Sequence, residues 1–179
     1  PMTRLLLADD HPIVLEGLAA LLQAEGFDIV ARCANGTAAV DAIAAHDPDI
    51  ALLDIQMPGT SGLAILRDIR GRGAARPKVI ILSASLDQSQ IAEAVELEAD
   101  GLVLKEQVVD RIVECVEKVA AGQQWIDNAV LKRVISHLSR RDTGVAATRA
   151  LSARETEVAR LAARGLRNRD IAQALGLTE

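Results

Sequence analysis

Short apolar runs and helical repeats alternate along the first 120 residues of the chain. Arg4–Ala8, Asp28–Ala31, Ile50–Leu53, Lys78–Leu82 and Gly101–Leu104 read as strands. Between and after them, apolar residues recur at helical spacing over about 13–25, 37–46, 62–71, 88–98 and 107–121. "LLLA", "IALL" and "VIIL" are apolar throughout rather than alternating. Such runs are expected where both faces of a parallel sheet are covered by helices. Five strand–helix pairs therefore predict a doubly wound α/β domain. Asp87 with Gln90 three residues on predicts a capped start for the fourth helix.

Beyond Gly122 the pattern predicts helix only. "NAVLKRVISHL" (128–138) has a helical period, and "SRRDTGVAATRA" (139–150) is aperiodic and polar enough to be a linker. "LSARETEVARLAARG" then opens on a capping box, Ser152 with Glu155, and stops at Gly165. "NRDIAQALGLTE" starts another helix at Asn168. The expected organisation is a domain over 2–122, a helix and linker over 123–150, and an all-α unit over 151–179. Pro1 ahead of Met2 reads as a tag remnant and is left out of the fold.

Composition changes this picture in two places. Phe27 and Trp125 are the only aromatics among 179 residues, so aliphatic side chains must build the core. Charge is unevenly spread. Residues 1–139 carry 12 Lys/Arg against 20 Asp/Glu, and residues 140–179 carry 8 Arg against 5 Asp/Glu. An acidic body with a basic tail points the tail towards phosphate-bearing partners, although a solvated Arg-rich helix surface would look the same. Cys33 and Cys115 fit no metal or redox spacing and are expected as small apolar residues in a reducing cytosol. No stretch reaches membrane-spanning length, and a cytoplasmic location without membrane contact is expected.

The chemistry lies at the strand ends. In a doubly wound sheet, ligands bind beyond the carboxyl ends of the strands. Asp9 and Asp10 follow strand one, Asp54 follows strand three, Ser83 strand four and Lys105 strand five. Taken singly, each could be a turn residue, a cap or a solvated charge. Together they put three carboxylates, a hydroxyl and an ammonium at one rim. Clustered acids need a cation, and hard oxygen ligands suit Mg²⁺. His11 is expected at a cap or on the surface, because Mg²⁺ rarely takes imidazole.

"ADDHPIVLEGL", "ALLDIQMPGTSGL", "LSAS" and "ADGLVLKE", in this order and spacing, resemble a two-component receiver domain over about residues 2–121. "DDHP" and the tail resemble the NarL/FixJ subfamily, with a LuxR-type helix-turn-helix. The resemblance implies a flavodoxin-like fold with a five-stranded parallel sheet, followed by an incomplete helix-turn-helix whose recognition helix is not in the chain. It implies a response regulator rather than an enzyme, in which a histidine kinase phosphorylates Asp54 to control dimerisation and promoter binding. Asp9, Asp10, Asp54 and the Gln56 backbone carbonyl would hold Mg²⁺, while Lys105 and Ser83 would contact the phosphoryl oxygens. Arg167, Asn168 and Arg169 would support DNA contact.

One position departs from the family. The aromatic that usually answers the Ser83 hydroxyl falls at Leu102, which has neither ring nor hydroxyl. A switch in which Ser83 still moves and Leu102 repacks is expected. A receiver acting through protein contacts alone is the alternative. A haloacid-dehalogenase-type phosphatase would need a second acid where Gln56 stands, and an anionic flavodoxin-type cofactor would be repelled by the three acids.

Overall fold

The computed structural model describes residues 2–73, 76–84, 87–126 and 130–131. The elements run β1 (Arg4–Ala8), α1 (Pro12–Ala24), β2 (Asp28–Cys33), α2 (Gly36–His46), β3 (Ile50–Asp54), α3 (Gly62–Gly71), β4 (Lys78–Ser83), α4 (Gln88–Glu96), β5 (Gly101–Leu104), α5 (Val108–Ala120) and β6 (Trp125–Ile126). A 3₁₀ turn, Lys105–Gln107, joins β5 to α5. All strand pairs are parallel, and the order is β2-β1-β3-β4-β5-β6. Parallel neighbours need a crossover, which each intervening helix supplies.

The apolar runs are continuous because successive residues enter two different cores. Leu5, Leu7, Ile50, Leu52, Ile80, Leu82 and Val103 pack with α1 and α5. Leu6, Ala8, Ala51, Leu53, Val79, Ile81, Leu102 and Leu104 pack on the other face, with α3 and α4. Leu5, Leu6, Leu52, Leu53, Ile80 and Ile81 are all fully enclosed. Each contributes about 1.5–3 kcal/mol of burial free energy. Cys33 and Cys115 are free, buried thiols whose pKa values burial pushes up, as expected for small apolar residues.

The expected five strands become six. Trp125–Ile126 pairs with Gly101 and Leu102, so the sheet extends past residue 122 into a segment expected to be helix and linker. Two residues are too few to show a period, but they still alternate: Trp125 lies against the α1/α5 core and Ile126 against the other. The expected helix at 128–138 is described at Val130 and Leu131 alone, and the units at 139–150 and 151–179 lie outside the described residues.

Helix starts follow local chemistry. Asn35 accepts from the Ala38 N–H at 2.8 Å and Ser61 from the Ala64 N–H at 3.2 Å. Asp87 caps α4 as expected, with its side chain accepting from the Ser89 N–H at 3.0 Å. Pro12 occupies the first position of α1, where no backbone donor is required.

Candidate functional site

The parallel register brings the carboxyl ends of the central strands to one edge. Asp54 is the last residue of β3 and stands beside Leu82, while Ser83 closes β4 opposite Leu104. Lys105 follows directly in the 3₁₀ turn. Asp9 continues β1, its N–H donating to the Cys33 carbonyl at 3.0 Å. Asp9 and Asp54 are 1% and 2% exposed. Both carboxylates share one cation: Lys105 Nζ is 2.6 Å from Asp9 Oδ2 and 2.9 Å from Asp54 Oδ2.

Burial lifts the Asp54 carboxyl above the ordinary carboxylate range, against the pull of Lys105 and the Gln56 N–H, while the Asp9 charge adds to the rise. For Lys105, burial alone would lower the pKa. The hydrogen bonds and charges of Asp9 and Asp54 outweigh it and hold the ammonium above its usual value. One ammonium answers both Asp9 and Asp54, and Asp10 stands in the same cluster.

Asp9, Asp10, His11 and Asp54 each bring a ligand atom within 4.8 Å of the others. Asp9 Oδ2 and Asp10 Oδ1 are buried and accept no well-directed hydrogen bond, their close neighbours being the charged or ring nitrogens of Lys105 and His11. Buried carboxylate oxygens in that state fit a hard divalent cation such as Mg²⁺. When bound, such an ion would offset charge on a transferring phosphoryl group.

A cleft of about 80 Å³ opens over this cluster, lined among others by Gln56, Ser83 and Gln90. All five rim residues marked in the sequence thus converge. Gln90 was marked there for helix capping alone. Its place in the first turn of α4, just after the β4 edge, is the signal that could have assigned it to the cleft. Leu102 is fully buried in the core that also holds Ile91 and Ala94 of α4. His11 occupies the cap position of α1, yet its side chain caps nothing and turns back onto the carboxylates. Arg167, Asn168 and Arg169 lie outside the described residues.

A larger cleft, about 340 Å³, sits at the opposite edge of the sheet. Its charges are engaged locally: Asp49 accepts from the Arg4 N–H and pairs with Arg76, and Lys78 Nζ donates to the Val119 carbonyl. The acidic cleft is the better site.

Comparison with known proteins places this geometry. The response regulator receiver domain matches residues 5–117, and the luxR family of bacterial regulatory proteins matches residues 149–179. The nitrate/nitrite response regulator NarL of Escherichia coli K12 is 30% identical over 177 residues, 98% of this chain and 82% of that protein. This chain belongs to the NarL/FixJ family of response regulators. Another relative is the transcriptional regulatory protein LiaR of Bacillus subtilis, 29% identical over 99% of this chain and 84% of its own length. The solved receiver domain of the NarL response regulator of Mycobacterium tuberculosis superposes with a TM-score of 0.64 at 33% identity, covering 69% of this chain and all of that one. The response regulator described here therefore joins a receiver to a LuxR-type DNA-binding domain, the architecture of a transcriptional regulator. Among the described residues, no helix is long and apolar enough to cross a membrane.

Proposed function

We propose that Asp54 accepts a phosphoryl group from a partner histidine kinase in the cytoplasm, and that the phosphorylated receiver, residues 2–122, drives dimerisation and promoter binding of the intact protein through the LuxR-type domain to which residues 151–179 belong. The observation that carries this reading is the buried Asp54 carboxylate at the end of β3, 2.9 Å from Lys105, with Asp9 and Asp10 in ligand reach. An Asp54 oxygen attacks phosphorus and forms an acyl phosphate. The bond from phosphorus to the donor nitrogen breaks, and its electron pair returns to the donor imidazole. Lys105 pairs with one phosphoryl oxygen, and the Ser83 hydroxyl donates to another. Asp9, Asp10, Asp54 and the Gln56 backbone carbonyl would hold Mg²⁺. With no covalent catalyst beyond Asp54 itself, positioning and charge do the remaining work.

Mass spectrometry of the intact chain after treatment with acetyl phosphate and Mg²⁺ tests the acceptor. Wild type should gain one phosphoryl group, and Asp54→Asn should gain none. A gain that survives the substitution would place the acceptor elsewhere.

Leu102 shapes the response. Held in the core cluster that also contains Ile91 and Ala94, it gives α4 no polar handle on Ser83, so repacking alone transmits the change. Leu102→Tyr should therefore respond to beryllofluoride with a larger shift in dimer dissociation constant than wild type, measured by analytical ultracentrifugation. The larger ring should cost about 1–3 kcal/mol of stability in the resting state. Equal shifts in the two proteins would overturn the repacking switch.

A further inference from the structure

We propose that His11 Nδ1 is a direct ligand in the acidic cleft, converting it into a mixed carboxylate–imidazole centre that takes Mn²⁺, Co²⁺, Ni²⁺ or Zn²⁺ in preference to Mg²⁺. This rests on the reading of the cleft as a divalent-cation site and concerns which ions that site selects.

The geometry is specific. Nδ1 lies 3.2 Å from Asp9 Oδ1 and 2.8 Å from Asp10 Oδ1. His11 also belongs to the set of four residues, with Asp9, Asp10 and Asp54, that can each bring a ligand atom within 4.8 Å of the others. A ring nitrogen this close to two carboxylate oxygens either donates a hydrogen bond to them or shares a cation with them. The backbone leaves the ring free for the second arrangement. His11 is extended (φ −96°, ψ 106°) immediately before Pro12 fixes the start of α1, and its side chain makes no cap bond. The imidazole is released from capping and aimed at the cluster. It is also 64% exposed, whereas Asp9 is 1% exposed, so an ion entering from solvent meets the imidazole before the deepest carboxylate.

Donor chemistry then sets the preference. Mg²⁺ holds oxygen ligands and water and gains little from nitrogen. First-row transition ions bind imidazole well, with affinity rising from Mn²⁺ through Co²⁺ and Ni²⁺. One nitrogen added to three carboxylates therefore widens the gap between these ions and Mg²⁺. Transition ions compete with Mg²⁺ for the ground that phosphoryl transfer uses, which makes the regulator's phosphorylation sensitive to the transition-metal supply.

Pulsed electron paramagnetic resonance of Mn²⁺ bound to the full chain reads the ligand directly, and calorimetric titration with Mg²⁺ and Co²⁺ reads the preference. Wild type should show ¹⁴N coupling from a bound imidazole, and His11→Ala and His11→Gln should both lose it. The ratio of Mg²⁺ to Co²⁺ dissociation constants should narrow by about tenfold or more in both variants. Mn²⁺ bound without nitrogen coupling, yet lost on Asp10→Asn, would overturn the role of His11 and leave the carboxylate site intact: the imidazole would then be paired through a proton. Mn²⁺ binding that is absent from wild type, or indifferent to Asp10→Asn, would overturn the cation reading of the cleft and this inference with it.

Discussion

Replacing Lys105 with methionine should destabilise the receiver by about 3–5 kcal/mol in the presence of a chelator, because it leaves a buried pair of carboxylates without their counter-charge. Asp9 and Asp54 are almost wholly enclosed, and Lys105 Nζ is within 2.9 Å of both. Methionine fills the same volume without the ammonium, so packing changes little and the loss measures charge. Millimolar Mg²⁺ should return part of the stability to the variant and add less to wild type, since an ion then supplies charge that the lysine no longer gives. The pH dependence has a fixed sign. Lys105 has a raised folded pKa, so its contribution is fully present below its unfolded value and is lost as pH rises through the folded one. Asp54 also has a raised folded pKa, so its ionised form is disfavoured in the fold. As pH falls through that pKa, Asp54 becomes neutral and the deficit of the methionine variant shrinks. Urea titrations from acid to alkaline pH, with and without Mg²⁺, check both trends. A deficit that is flat through the acid range and blind to Mg²⁺ would mean Lys105 acts by packing.

The sequence made β1, β3 and β4 legible because strands buried on both faces leave no polar position in the run. It did not reveal β6, since Trp125–Ile126 is paired by position beside Gly101 and Leu102 and is too short to carry a pattern. Strand order was likewise hidden. The crossover helices have the same local signature whether the next strand adds to one side of β1 or the other. Asp9, Asp10, Asp54, Ser83 and Lys105 could be found because a strand end is a fixed address in a parallel sheet. His11 and Gln90 were harder to assign, for a different reason. Their place in the cleft depends on helix phase and on one backbone torsion pair at the head of α1, which residue type alone does not encode.

The same strand-end address makes Asp54 sensitive to what packs behind it, and Gly62→Ala should show this in both stability and phosphoryl acceptance. A methyl at Gly62 would strike the Asp54 carbonyl oxygen and lie 3.0 Å from its carbonyl carbon. Neither atom can rotate away, because Asp54 is held in the sheet and the Gly62 N–H donates to the Ile55 carbonyl at 3.2 Å. The whole first turn of α3 must retreat or the end of β3 must bend. Overpacking of this kind costs about 1–3 kcal/mol, here towards the upper end. Displacing the reacting carboxylate should slow phosphoryl uptake from acetyl phosphate by about tenfold to a hundredfold. Gly36→Ala is the matched control. Its methyl would collide with the Thr60 carbonyl, and the Gly36 N–H is tied to the Pro58 carbonyl at 3.0 Å, so it strains the loop after β3 rather than Asp54 itself. It should unfold at least as readily as Gly62→Ala while keeping more of the phosphoryl acceptance measured at low temperature. If the two variants lose acceptance in proportion to their stability, the close approach at Gly62 serves the fold alone and has no special hold on the carboxylate.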